Sequence, residues 1–463
     1  MIFKNDATLM PSPLTREICR SFVEQHLFEP SQTAKPGEPG FVGIELEVFP
    51  YILDIKSEKG KRPVPLFGDQ DSLMHALVHA SEHIGGIAKY WHPDINLKGY
   101  NSQIERIAFP DGDRFLFEPG GQIEISTAPC RTMDTLQAHL SSKLAVLDAV
   151  TQQSNIRFAQ FGTNPWFHVD EIGNQIHKPR YRALEKYFDD IGPYGKQMML
   201  QTGSLHINLD LGNDHTIRIK RILAANLLVP FVTAIFAHSP VIEGKTTGHK
   251  SYRSFLWQHL DARRTGILPM QQLSKTLREE NLIDTYMEFA LKAPLMYISA
   301  LGDQVLPLHY TMEYIMTHPI EGFSPDATFL ANHFSLLFPE VRLKGYLELR
   351  SVDAPPAGWE MVPAIFYCGL LYSDQHLDQL LGMLLPLTSR IVDLYRKATF
   401  GLASDEIFAL SKDLVHLAIA GFSSLPDDFK KDNHTDQLIT FFERFTRRRK
   451  TFADAYLETL SGK

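Results

Sequence analysis

Cysteine is scarce in this 463-residue chain: Cys19, Cys130 and Cys368 are the only three, and no Cys-x-x-Cys occurs. Three thiols so far apart cannot build a disulfide framework, and they read as reduced, buried side chains. Basic charge is not in excess either. Lys and Arg total 46 against 54 Asp and Glu, a net charge of −8, which speaks against nucleic acid or an anionic membrane as the main partner. The longest apolar stretches, near 223–237 and 363–372, are too short or too interrupted to span a bilayer. The N-terminus, Met-Ile-Phe-Lys-Asn-Asp, lacks a basic region followed by an apolar run, so the expectation is a cytoplasmic protein without a signal peptide.

Several catalytic signatures are missing too. There is no Gly-x-Gly-x-x-Gly, no His-Glu-x-x-His and no Gly-x-Ser-x-Gly, which disfavours dinucleotide oxidoreduction, zincin proteolysis and α/β-hydrolase chemistry. Gly244-Lys245-Thr246 ends like a phosphate-binding loop but lacks its first glycine, and Pro240 stands where a donor amide would be needed. It reads as an ordinary loop.

What is present suits a globular enzyme. Hydrophobic residues make up 44% and charged residues 22%, ample for a sizeable core. Helical periodicity is expected over 13–27, 71–85, 132–153 (capped at Thr132), 178–200, 215–237 and 272–290, and almost throughout from Trp359 onwards. Strand-like runs fall at 43–49, 101–108, 114–126, 155–164, 200–211, 293–301 and 339–353. Several strands are adjacent and alternate in polarity, so they point to an antiparallel sheet with unlike faces. The expected fold class is α+β, and the expected organisation is an N-terminal helix and linker (1–39), a catalytic domain (40–375) and a helical C-terminal region (376–463).

The chain is organised around Gly43-Ile44-Glu45-Leu46-Glu47-Val48-Phe49. In a strand, side chains alternate between faces, so Glu45 and Glu47 share one face and Ile44, Leu46 and Val48 the other. Two readings fit: a solvated strand face, or a pair of oxygen ligands for a hard divalent cation. Three further segments repeat the pattern. Residues 117–125 carry Glu118, Gln122 and Glu124; residues 204–210 put Ser204, His206, Asn208 and Asp210 on one face; residues 346–353 place Glu348 beside Arg350. Ordinary solvated faces favour Lys, Thr, Ser and Gln. Faces rich in Glu, His and Asn fit a pocket floor for Mg²⁺ or Mn²⁺, and Arg350 suits a phosphate oxygen. Together they imply a nucleoside triphosphate site.

At these residues the chain resembles the plant-type branch of the glutamate–cysteine ligases. The matching pieces are Gly-Ile-Glu-Leu-Glu-Val-Phe-Pro (43–50), Phe-Glu-Pro-Gly-Gly-Gln-Ile-Glu-Ile-Ser (117–126), Pro-Arg-Tyr-Arg (179–182) and His-Ser-Pro-Val-Ile-Glu-Gly-Lys (238–245). Tyr-Arg-Ser-Phe-Leu-Trp (252–257), Arg-Thr-Gly (264–266) and Phe-Pro-Glu-Val-Arg-Leu-Lys-Gly-Tyr-Leu-Glu-Leu-Arg (338–350) complete the set, in family order. The resemblance implies an antiparallel sheet curved into a funnel and flanked by helices, related to the glutamine synthetase catalytic domain. It implies ATP-dependent joining of a carboxylate to an amine through an acyl phosphate, with amino acids and ATP as the small-molecule partners and cysteine the default acceptor. It also implies roles. Glu45, Glu47, Glu118, Glu124, His206 and Glu348 are metal-site residues, and Arg350 is a phosphate partner. Arg253 contacts a substrate carboxylate or phosphate, Trp257 shapes the pocket, and Arg264 and Asn208 lie nearby. Departures occur at Gln201 and Gly203, where the family usually has Arg and Cys, and at 351–358, where it usually runs Gly-Ala-Asp-Gly-Gly-Pro. The departing segments are expected to border the substrates. The alternatives are a ligase of the same family with a different amine, or a non-catalytic relative that binds nucleotide and metal.

Overall fold

The computed structural model describes residues 14–35, 38–68, 72–90, 104–269, 278–298, 301 and 306–462. Ten strands form one antiparallel sheet: β1 (Val42–Leu53), β2 (Lys61–Pro63), β3 (Ile87–Tyr90), β4 (Ile104–Ala108), β5 (Arg114–Phe117), β6 (Ile123–Ser126), β7 (Ile156–Ala159), β8 (Ser204–Leu209), and, further along the chain, β13 (Val341–Leu343) and β14 (Leu347–Asp353). Between these last two groups come two small pairs, β9 (Val241–Ile242) with β10 (Lys245–Thr246), and β11 (Thr265–Gly266) with β12 (Phe338–Pro339). The large sheet runs β13-β14-β8-β1-β6-β5-β4-β3, with β2 and β7 pairing the far end of β1. It is open, with β13 and β3 at its edges.

Alternation decides which face is core. Val42, Ile44, Leu46 and Val48 of β1 are buried, as are Leu205, Ile207 and Leu209 of β8 and Leu347 and Leu349 of β14. That face packs against helices His215–Ile235 and Met361–Leu371, every residue of the latter being buried. One apolar core therefore runs from Leu14 to Phe452 and ties the C-terminal helices to the sheet. All three cysteines lie inside it, free. Among the described residues, no helix is long and apolar enough to cross a membrane.

Most expected elements form. Thr132 accepts a hydrogen bond from Thr135 N and caps helix Met133–Gln153, and Asp214 caps His215–Ile235 through Ile217 N. The N-terminal helix is shorter than its periodicity, covering Arg16–Val23 before widening into one turn at Glu24–Phe28. The strand expected over 200–211 begins only at Ser204, because Gly195–Gln201 is helical. The strand expected at 293–301 is not formed over 293–298, where only an isolated Pro294–Thr311 bridge appears. Residues 1–13, 71, 101–103, 272–277 and 299–300 of the expected elements lie outside the described residues. The short strands β2 and β3 were not foreseen.

Candidate active site

Strand register brings the polar faces together. Glu45 lies opposite His206 of β8 and Ser126 of β6, and Glu47 opposite Glu124. Glu348 of β14 lies opposite Asn208 on one side and Arg342 of β13 on the other. Between Leu349 and Val352 the register of β14 shifts. Such an irregularity re-aims the side chains within it, here Arg350 and Ser351. Glu118 enters from the turn joining β5 to β6, where Gly121 takes φ +83°, a conformation that favours glycine. A cavity of about 220 Å³ results, lined by Glu45, Glu47, Glu118, Glu124, His206 and Arg350, with Trp257 and Phe338 closing one wall.

Two halves of this cavity differ in charge. In the first, Glu47, Glu118 and Glu124 each offer one oxygen, all within 4.8 Å of one another. Burial pushes the Glu118 carboxyl up to about 7, and the Glu47 carboxylate adds to it, against the pull of Arg350 and Arg180. Burial pushes Glu124 further, well above the carboxylate range, helped by Glu45, Glu118 and Glu47. The three carboxyls cannot all ionise together without a compensating cation, and a hard oxygen set of this spacing suits a divalent cation.

In the second half, Glu348 is fully buried and surrounded by cations. Its oxygens accept from Arg342 (Nη2 at 2.8 Å, and Nε), Lys344 Nζ at 2.8 Å and Arg350 Nη1 at 3.1 Å. Burial resists its ionisation, but these three cations hold its carboxyl well below the usual range. Burial likewise resists ionisation of Glu45, and Lys344 together with the His206 hydrogen bond holds it at about 2. His206 Nδ1 lies 3.2 Å from Glu45 Oε2, so this nitrogen donates. Burial, then the Arg350 charge, lowers the His206 pKa. The Ser204 hydroxyl sits 2.9 Å from both His206 Nε2 and Glu47 Oε2, linking the halves. Glu45, His206 and Glu348 also have ligand atoms within 4.8 Å of one another, but the Glu348 oxygens already hold protein cations. The Glu47–Glu118–Glu124 set is the better fit for a metal.

A third acidic group, Asp111, Asp113 and His139, does not suit a metal. The fully buried Lys143 ammonium lies 2.6 Å from Asp111 and 2.8 Å from Asp113, occupying the place a cation would take.

The other residues singled out in the sequence fall in two groups. Trp257 lines the cavity, with the Arg350 guanidinium 5.6 Å from its ring centroid, and Asn208 donates to Glu45 at 3.1 Å. Arg253, Arg264, Gln201 and Gly203 lie outside the lining. Arg253 donates to the Arg350 carbonyl at 2.8 Å and faces Asp353 at 3.7 Å, so it supports β14 from behind. Arg264 is wholly buried, donating to the carbonyls of Leu336 and Pro294. Gln201 donates to Phe167 O at 2.7 Å and Glu243 at 3.0 Å. Gly203 is packed against Phe161 and Phe49.

Sequence reasoning passed over Arg342, Lys344 and Arg180. The first two were detectable, because a hairpin closing at 344–347 puts residue 342 opposite 348. Arg180 lines the cavity from helix Pro179–Ile191 and is fixed by Ser335 at 2.8 Å (hydroxyl) and 3.0 Å (carbonyl), a long-range placement without a local signal.

Comparison with known proteins bears on this site. The glutamate–cysteine ligase family 2 model matches residues 102–403. A chloroplastic glutamate–cysteine ligase of Medicago truncatula is 32% identical over 309 residues, 65% of this chain and 58% of the relative. One of Arabidopsis thaliana is 33% identical over 302 residues, 62% of this chain and 56% of the relative. The chain thus spans little more than half of these relatives. Both are named chloroplastic, which overturns the expectation of a cytoplasmic protein. A crystal structure of a glutamate–cysteine ligase of Francisella tularensis in complex with AMP superposes with a TM-score of 0.52, covering 94% of this chain and 86% of that one. At 12% identity it shows the α+β fold, a large open antiparallel sheet with helices around it. The family match takes in β6, β8, β13 and β14, four of the five strands of the large sheet that line the cavity, and on it the chain belongs to glutamate–cysteine ligase family 2.

Proposed function

We propose that the cavity carries out ATP-dependent carboxylate–amine ligation, forming a γ-glutamyl amide with cysteine as the default amine. The observation that carries this reading is the crowding of the Glu47, Glu118 and Glu124 carboxyls, which lines one small cavity together with the guanidiniums of Arg350 and Arg180. A carboxylate cluster of this kind is costly unless a cation joins it, and guanidiniums opposite it are suited to phosphate oxygens. Glu47, Glu118 and Glu124 would hold Mg²⁺ or Mn²⁺, which offsets charge on the ATP phosphates.

In this reading the glutamate γ-carboxylate attacks the γ-phosphorus of ATP. ADP leaves, and an acyl phosphate forms. The amine nitrogen then attacks the acyl carbon, the C–O bond to phosphate breaks, and the nitrogen loses its proton, giving amide and inorganic phosphate. Arg350 is held for this work by the Glu348 carboxylate and by the Trp257 ring, while Arg253 fixes the backbone beneath it. Catalysis of this kind is mostly positioning and charge stabilisation. The test is an assay with ATP, Mg²⁺, glutamate and a panel of amines that includes cysteine, reading phosphate release and product mass. Phosphate release that depends on both glutamate and an amine supports the reading, and no acceptor-dependent release with any pair overturns it.

A further inference from the structure

A second cavity, of about 890 Å³, shares no lining residue with the first. It lies between helix Met133–Gln153, strand β7 and the last helix, Phe452–Leu460. Its size falls in the range of small-molecule sites.

Three of its polar side chains, Glu360, Gln160 and His238, present acceptors. Glu360, 6% exposed, accepts from Gln160 Nε2 at 3.0 Å and Gly358 N at 2.8 Å, and it forms no ion pair among the described residues. A buried carboxylate without a cation is costly. Since a carboxylate only accepts, the Gln160 amide must turn its nitrogen to Glu360, and this leaves Gln160 Oε1 buried with no partner among the described residues. His238, 3% exposed, has Nδ1 2.8 Å from the Ala354 carbonyl. A carbonyl cannot donate, so Nδ1 carries the hydrogen. Nε2 is then a bare acceptor, with no hydrogen-bond partner among the described residues. Burial brings the His238 pKa down to about 4, so the ring is neutral at pH 7.

Aromatic rings adjoin His238. Phe161 stacks on His238 at 4.9 Å between centroids and leans on Tyr456 at 4.8 Å. Ring faces attract cations and repel anions. Among the described residues Arg157 is the one guanidinium that lines the wall, and its Nη1 is engaged within the protein. Its Nη1 donates to the carbonyls of Thr151, Ser154 and Ile156 at 3.0, 2.9 and 2.8 Å, closing the end of helix Met133–Gln153.

We propose that this cavity binds a small organic cation, an ammonium or guanidinium head on an apolar or aromatic body, received by Glu360, Gln160 and His238 and by the ring of Phe161. The proposal stands on the cavity alone and does not rest on the ligase reading. It does place a ligand near the other site. His238 N donates to Asp353 Oδ2 at 2.8 Å, Asp353 faces Arg253, and Arg253 holds the Arg350 carbonyl.

The test is isothermal titration of the full chain with 2-phenylethylamine and, as its anionic counterpart, 3-phenylpropionate. The amine is expected to bind one to one and the carboxylate not to bind. Glu360→Gln keeps an acceptor for Gln160 and Gly358 but loses the charge, and it should weaken the amine at least about tenfold, roughly 1.4 kcal/mol. Glu47→Gln, in the other cavity, should leave this binding unchanged. Should Glu360→Gln fail to fold, Tyr456→Ala takes its place and should weaken the amine as well. No amine binding at millimolar concentration, equal binding of the carboxylate, or loss in Glu47→Gln with retention in Glu360→Gln would each overturn the proposal.

Discussion

Arg342 lies directly opposite Glu348 in the β13–β14 hairpin, and its guanidinium meets the carboxylate edge-on, with Nη2 2.8 Å from Oε1 and Nε on Oε2. Glu348 is fully buried and the Arg342 side chain is 16% exposed, so breaking the pair leaves a buried carboxylate short of a cation. Arg342→Met should cost about 3–5 kcal/mol in urea unfolding. Arg342→Lys should recover only part, because an ammonium cannot reproduce the two-pronged contact. A loss under about 1 kcal/mol for Arg342→Met would mean that Lys344 and Arg350 suffice. Glu348→Gln should abolish ligase turnover, since it frees Arg350 from its anchor; unchanged turnover would separate Glu348 from the chemistry.

The carboxylates on the other side of the cavity give a pH signature. The folded-state pKa of Glu118 is raised to about 7 from 4.5. A raised carboxyl pKa means that the folded state binds the proton more tightly. Its stabilising contribution is complete below 4.5 and is lost as pH rises towards 7. Glu45, held at about 2, acts in the opposite sense and in another window, its contribution being present above 4.5 and lost as pH falls towards 2. Without divalent cations, the melting temperature should therefore fall between pH 4.5 and 7.5. Mg²⁺ or Mn²⁺ should raise it markedly at pH 8 and little at pH 5. An equal shift at both pH values would show that the ion binds elsewhere.

How much of this was legible in the sequence follows from how local each feature is. The alternation of Glu45 with Leu46 and of Glu47 with Val48 is a two-residue pattern, and it placed both carboxylates on one face correctly. The same holds for Glu124, His206 and Glu348, which register then aligns with them. Gln201 shows the limit. It continues an alternating run, yet it is the last residue of helix Gly195–Gln201, and its side chain turns to Phe167 and Glu243. Whether 200–203 is helix or strand is decided by packing, which periodicity over four residues does not see. Arg264 shows another limit: Asp261 stands three residues earlier, but the carbonyls of Leu336 and Pro294 that Arg264 holds come from distant chain.

Arg264 and Arg350 should consequently fail differently. Arg264 donates to two buried carbonyls and lies over the Tyr187 ring at 4.7 Å, away from the cavity lining. Arg264→Met should lower stability by about 3 kcal/mol by leaving those groups unpaired, with kcat/KM per folded molecule nearly unchanged. Arg350→Met removes a guanidinium that faces the cavity and should lower kcat/KM by about a hundredfold or more. A large activity loss in Arg264→Met at a temperature where it is folded would bring Arg264 into the catalytic machinery.

Gly203 stands where the plant-type pattern has cysteine, and its surroundings explain why no side chain fits. A Cβ there would lie 2.6 Å from the Phe161 carbonyl and 2.9 Å from the Phe49 ring. The backbone on either side is fixed, with Gly203 N donating to Gly162 O at 3.0 Å and Gly203 O accepting from Ala354 N at 3.3 Å. Gly203→Ala should therefore destabilise by about 1–3 kcal/mol through overpacking, and Gly203→Cys by more. Neither side chain would enter the carboxylate-lined cavity, so Gly203→Cys should not improve use of any amine per folded molecule. A gain in cysteine-dependent turnover in that variant would mean that the segment around Gly203 rearranges towards the substrates, and that its departure from the family pattern concerns specificity and not packing.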